Sequence, residues 1–173
     1  MSFKPFKCAA KDFNKNPFYL IQKNEDKKRF VVSLKDKLSI RIILAGFINE
    51  ISQKIEIKIR DFENKENPID YSGMLEKNEL HKFMLDFENA IFNDGAHDFM
   101  IKNNKTDEYI VFDEHGLIFI YTEKDYSETL NNLKAKHLPK EKLIYSYDHW
   151  HFRSEGTYKE LKLMIELMKL KRD

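Results

Sequence analysis

The chain has 173 residues, enough for one domain that buries its own core without disulfide or metal staples. Fourteen Phe and eight Tyr supply apolar area, and a charged fraction of 34% coexists with regular hydrophobic periodicity, which excludes a disordered chain. The single Cys8 rules out an internal disulfide, no run approaches the ~20 apolar residues of a membrane span, and "MSFKPFKCAAKDF" lacks a signal-peptide core, so a cytoplasmic protein with no membrane partner is expected.

In chain order, "FYLI" (Phe18–Ile21) reads as an edge strand and "RFVVSL" (Arg29–Leu34) as the first full strand. "LSIRIILA" (Leu38–Ala45), rich in β-branched residues, reads as the next. "KIEIKIR" (Lys54–Arg60) alternates perfectly, with Ile55, Ile57 and Ile59 inward, so the first third is expected to be a meander with one wet face. Asp61–Gly73 is polar and carries Pro68, which predicts a connection. Leu80, Phe83, Met84, Phe87 and Ile91 recur at helical spacing and predict one helix over Leu75–Phe92, closed by a left-handed Gly95.

"HDFMIKN" (His97–Asn103) and a polar turn lead into "EYIVF" and "LIFIY" around "DEHG", which read as a hairpin whose turn needs a positive φ at Gly116. Both arms are apolar throughout, which predicts a central hairpin covered on both faces. Asp125 and Glu128 suggest a capping box opening a helix that runs to Leu138, before Pro139. Leu143–Phe152 is expected to be a strand. Thr157 and Glu160 suggest a second box opening a last helix to Leu170, apolar enough to be buried on more than one side or to pair two copies of the chain. The sum is an α+β domain spanning residues 1–173, with a largely antiparallel sheet and about three helices.

Two features bear on function. Extended backbone over residues 144–152 would put Tyr145, Tyr147, His149 and His151 on one face, a patch of polar-tipped rings next to Arg153. Such rings suit a protein interface. The same two histidines could instead serve a small hydrolase or nuclease as an acid–base or metal-binding pair, with Arg153 clamping an anion. The second feature is charge asymmetry: residues 71–130 hold 5 basic and 13 acidic groups, against 15 and 10 in residues 1–70 and 10 and 6 in residues 131–173. Asp107, Glu108, Asp113, Glu114, Glu123 and Asp125 bracket the hairpin and are candidates for steering a partner. No phosphate loop, nucleophile elbow or paired cysteines occur, so no cofactor or metal is expected. Lys134, Lys136, Lys140 and Lys142 near Tyr145 and Tyr147 are too few to predict nucleic-acid binding.

The acidic stretch through Asp86–Glu128, the aromatic "YSYDHWHF" and the strand-rich single domain resemble small bacterial immunity proteins of contact-dependent and polymorphic toxin systems. That resemblance implies a non-enzymatic protein whose partner is a cognate toxin, possibly a nuclease. The near-neutral total charge departs from the acidic character common among nuclease inhibitors.

Overall fold

Strand β4 (Lys54–Asp61) buries every second residue, and Ile55, Ile57 and Ile59 are fully inaccessible inside a nine-stranded sheet, where β4 is the third strand from one edge. The computed structural model describes residues 8–10, 16–24, 27–51, 54–64, 66–139, 149–151 and 153–173. The other strands of this sheet are β2 (Phe18–Asn24), β3 (Lys27–Ser33), β5 (Ile69–Glu76), β6 (His97–Asn103), β7 (Tyr109–Phe112), β8 (Ile118–Thr122), β9 (Lys136–His137) and β11 (Lys171–Arg172). Their spatial order is β11-β5-β4-β6-β7-β8-β3-β2-β9. All described pairs are antiparallel except β2 with β9. A separate two-stranded ribbon pairs β1 (Cys8–Ala10) with β10 (His149–His151).

Five helices lie among the described residues: α1 (Lys37–Glu50), α2 (Lys77–Asp86), α3 (Glu88–Asn93), α4 (Ser127–Asn132) and α5 (Glu155–Leu167). All five share one core with a single face of the sheet, where Phe30, Phe99 and Phe112 meet Phe47, Leu80, Phe92 and Leu161. The protein is an α+β domain, as its block-like alternation of patterns implied.

Several local expectations are corrected. Residues 38–45 are helical, not extended. Asp36 caps α1 by accepting the Ser39 amide at 2.7 Å, and Ile40, Ile43, Leu44, Phe47 and Ile48 form its buried stripe. Here helical periodicity and a cap outweigh the strand preference of four isoleucines. The expected meander is therefore absent: β3 is flanked by β2 and β8, and β4 by β5 and β6. The polar connection after β4 ends sooner than expected, because Ile69–Glu76 forms β5. The single helix over Leu75–Phe92 is two, broken where Phe87 leaves helical geometry (φ −115°, ψ 36°), although its stripe is buried as predicted apart from the half-exposed Phe83. The break ends in an extended Asp94, so Gly95 adopts no left-handed conformation.

α4 stops at Asn132 instead of Leu138; Asp125 accepts the Ser127 amide at 2.9 Å, and no side chain caps the helix. The box of α5 belongs to Ser154 and Thr157, each accepting the other's amide at 3.0 Å, and Glu160 accepts the Ala90 amide instead. α5 buries Leu161, Met164 and Ile165 and leaves Leu163 and Leu167 exposed, so it packs on one side. Gly116 takes the expected positive φ, 77°. Of the expected strand over 143–152, His149–His151 is extended and residues 143–148 lie outside the described residues.

Candidate interface on the open sheet face

The five helices cover one face of the sheet. On the other, the alternation of β4, β6, β7 and β8 brings their second set of residues into register. Lys58, Met100, Val111, Phe119 and Val31 form one cross-sheet row, and Glu56, Lys102, Tyr109, Tyr121 and Arg29 the next. At the β2–β3 end this face is closed, because Val31 is buried with Phe18, Leu20 and Leu117 in a second cluster against which Phe119 packs, so the face is open only from β4 to β8. The hairpin of β7 and β8 is central, but among the described residues only one of its faces is fully covered: Ile110, Phe112, Ile118 and Ile120 are buried, while Tyr109, Val111, Phe119 and Tyr121 are partly exposed. The expectation of two covered faces is corrected. An apolar run through both faces failed to distinguish a buried face from a partly exposed one.

The rings on this face are ordered by one another. Tyr109 and Tyr121 stack with centroids 4.2 Å apart, and the Arg29 guanidinium lies 4.7 Å from the Phe119 centroid and 5.3 Å from that of Tyr121. Arg29 also donates from Nη1 to Gln22 Oε1 at 3.2 Å. Burial and the neighbouring Tyr121 push the Tyr109 hydroxyl up to about 12, so that phenol is neutral at physiological pH. Two adjoining depressions of about 560 and 360 Å³ run over these side chains and share Asp98, Met100, Tyr109 and Val111.

Carboxylates sit at both ends of this surface. The four-residue β7, ~13 Å long, separates the loop bearing Asp107 and Glu108 from the turn bearing Asp113 and Glu114. Asp107 is 82% exposed and pairs with Lys27 at 3.2 Å. Glu108 is turned to internal work, accepting from Thr122 at 2.6 Å and Thr106 at 3.2 Å. Glu123 is exposed beyond β8; Asp125 is held well below the usual carboxylate range by the Ser127 hydroxyl and amide and by Lys28. The predicted acidic block is thus divided between opposite ends of the sheet. Asp113 is only 8% exposed: it accepts the amides of His115 at 3.0 Å and Leu117 at 2.7 Å and braces the turn, which corrects its expected role as an exposed steering charge.

Beside it, His115 Nδ1 lies 3.2 Å from Asp113 Oδ2 and 3.3 Å from Glu114 Oε1. These three side chains are the described group whose ligand atoms converge as a cation would require, all within 4.8 Å. A ring proton shared with Asp113 accounts for the geometry, and that hydrogen bond holds the His115 pKa above its usual value. A group raised in the folded state contributes stability below the unfolded pKa of ~6.5 and loses it as pH rises through the folded value. His115 is therefore expected to titrate above 6.5 in a ring-resolved NMR titration, and Asp113→Asn to lower that midpoint. A midpoint at or below 6.5 in the unaltered protein would exclude the shared proton.

No family model, curated protein or solved structure matches the chain. The site must speak for itself.

Arg153 is placed by its own surroundings. Its Nε lies 2.9 Å from both carboxylate oxygens of Asp94, Nη1 donates to Asp61 Oδ1 at 2.8 Å and Nη2 to the Ala96 carbonyl at 3.1 Å. Lys162 completes the cluster, donating to Asp61 Oδ2 at 2.9 Å. Asp61, Asp94 and the nearby His97 are fully buried. Burial pushes the Asp94 carboxyl up, but His97 and Arg153 outweigh it and hold it below the usual range. Two carboxylates thus meet two cations and fasten the start of α5 to the end of β4. Arg153, read from the sequence as an anion clamp, already clamps internal anions.

His149 and His151 belong to β10, whose backbone pairs with Ala10 and Cys8. Tyr145 and Tyr147 lie outside the described residues. The residues missed by sequence reasoning are Arg29, Tyr109, Phe119 and Tyr121. The available signal was the period of two inside each hairpin arm, which sets Tyr109 opposite Ile110 and Tyr121 opposite Ile120.

Proposed function

We propose that this is a non-enzymatic protein-binding protein that neutralises a cognate bacterial toxin in the cytoplasm, with the open sheet face as its contact surface. The observation that carries the reading is the cluster of Tyr109, Tyr121, Phe119 and Arg29 at the centre of that face. Pre-stacked Tyr and Arg side chains lose little rotamer freedom on binding, and residues of this kind dominate interface affinity. Carboxylates at both ends would meet a basic partner and speed encounter.

The charges of the face favour protein over nucleic acid. Arg60 makes a bidentate pair with Asp70, and Lys58 and Lys102 both approach Glu56, so these three cations meet carboxylates already present, while Arg29 is held by Gln22 and the rings of Phe119 and Tyr121. Nucleic-acid affinity rests on uncompensated cations facing phosphates. Because no helix among the described residues is long and apolar enough to cross a membrane, nothing in the helices calls for a lipid partner.

The test is co-purification with toxin domains encoded beside the gene, followed by growth rescue when each toxin is expressed. Binding and rescue by the unaltered protein, both lost in an Arg29→Ala, Tyr121→Ala double variant that remains folded, are expected. Failure to bind or protect against any neighbouring toxin domain would remove the reading.

A further inference from the structure

The β5 edge of the sheet is filled by the chain itself. After α5, Lys169 turns back in the left-handed region (φ 54°), a conformation that a residue with a Cβ adopts only at a cost. Its amide donates to the Glu166 carbonyl at 2.9 Å, and that of Leu170 to the Ile165 carbonyl at 3.1 Å. Leu170 then settles over Gly73, where an added Cβ would lie 2.7 Å from Leu170 Cδ2, so the missing side chain is the seat. β11 continues along β5 with Lys171 opposite Ser72 and Arg172 opposite Tyr71, and the Asp173 amide donates to the Asp70 carbonyl at 3.0 Å. Beyond this short stretch, Gly73–Glu76 pairs only with β4 among the described residues, and Met74 is 49% exposed.

We infer that Leu170–Asp173 exchanges between two copies of the chain, each seating its segment on the β5 edge of the other with Lys169 as the hinge. An edge that accepts an extended strand selects its occupant by main-chain bonds and by the side chains that fit its pockets. The occupant that fits this edge in sequence and register is residues 170–173, and a second copy carries that segment. Exchange re-forms the β5-edge contacts of the closed arrangement between molecules and gives up the two amide bonds that close the turn after α5. It also releases the left-handed Lys169, since an extended φ there carries Leu170 away from its own β5. Concentration then decides between closed and exchanged forms. The inference uses the sheet edge and not the open face, so it stands or falls apart from toxin binding.

The test uses the full chain in a Cys8→Ser background. One copy carries Ser72→Cys and a differently tagged copy carries Lys171→Cys. Paired antiparallel residues lie about 4.5–5.5 Å apart at Cα, within disulfide reach. Mixing the two under oxidising conditions should give a cross-tag disulfide whose yield rises with concentration, well above that with Lys159→Cys in place of Lys171→Cys. Light scattering after size exclusion should show Lys169→Gly lowering the dimer constant about tenfold or more, by making the left-handed hinge easy. Lys169→Pro, barred from positive φ, should raise it. A cross-tag yield no higher than the Lys159→Cys control would overturn the inference, as would a dimer population that responds to neither hinge variant.

Discussion

Asp61→Ala is expected to destabilise the fold by about 3–5 kcal/mol, the usual cost of breaking a buried charge pair from one side. Asp61 is fully buried and accepts from Arg153 and Lys162 through different oxygens. Its removal leaves Arg153, before α5, with Asp94 as its buried carboxylate and Lys162, within α5, with only the half-exposed Glu63. For a chain of this length the loss corresponds to roughly 10 °C or more in Tm. Arg60→Ala is the control: its bidentate pair with Asp70 is exposed and should contribute less than about 1 kcal/mol. Chemical denaturation of both variants decides the matter, and equal losses would show that the buried cluster does not hold α5. The same cluster sets an acid limit. A carboxyl held low in the folded state contributes stability above its unfolded pKa of ~3.9, and this is lost as pH falls through the folded value, so Asp94 should promote unfolding only in strong acid.

Tyr121→Ala is expected to speed dissociation of a bound partner by about 30-fold, the effect of losing an interface anchor worth ~2 kcal/mol. Tyr121 stacks on Tyr109 and lies beneath Arg29, so its removal also frees those two side chains to lose their alignment. Asp107→Lys should behave differently. An exposed carboxylate at the end of the surface acts through the field before contact, so association should slow and the salt dependence weaken, with dissociation nearly unchanged. Leu163→Ala, on the exposed side of α5 and away from the open face, should alter neither rate. Surface plasmon resonance at two salt concentrations separates these outcomes. A dissociation rate unmoved by Tyr121→Ala would remove the open face from the binding argument.

What the sequence showed, and what it hid, follows from the range of the interactions. β4 and the β7–β8 hairpin were legible because alternation and Gly116 act within a few residues. α1 was misread because its strand-forming isoleucines are consistent with either period until Asp36 is given its role as a cap. The acidic candidates were visible as a block, yet their division between two ends of the sheet depends on strand direction. The central rings were visible as apolar residues but not as an exposed group, because coverage of a sheet face is decided by elements far away in sequence. Arg29 illustrates this most clearly: its partners are Phe119 and Tyr121, and nothing within ten residues of it announces either contact.

That distance also sets a timetable for the newly made chain. β3 joins β8 through pairs running from Val32 with Ile118 to Lys28 with Thr122, separations of 86 and 94 residues. At ~5–20 residues per second, roughly 5–20 s of synthesis pass between the appearance of β3 and that of its inner neighbour. Through that interval the inner edge of β3 has no mate, and Phe30 and Val32 await most of the core that buries them. A β2–β3 hairpin formed on the ribosome would therefore present an apolar strand edge that the finished protein keeps at the interior of its sheet.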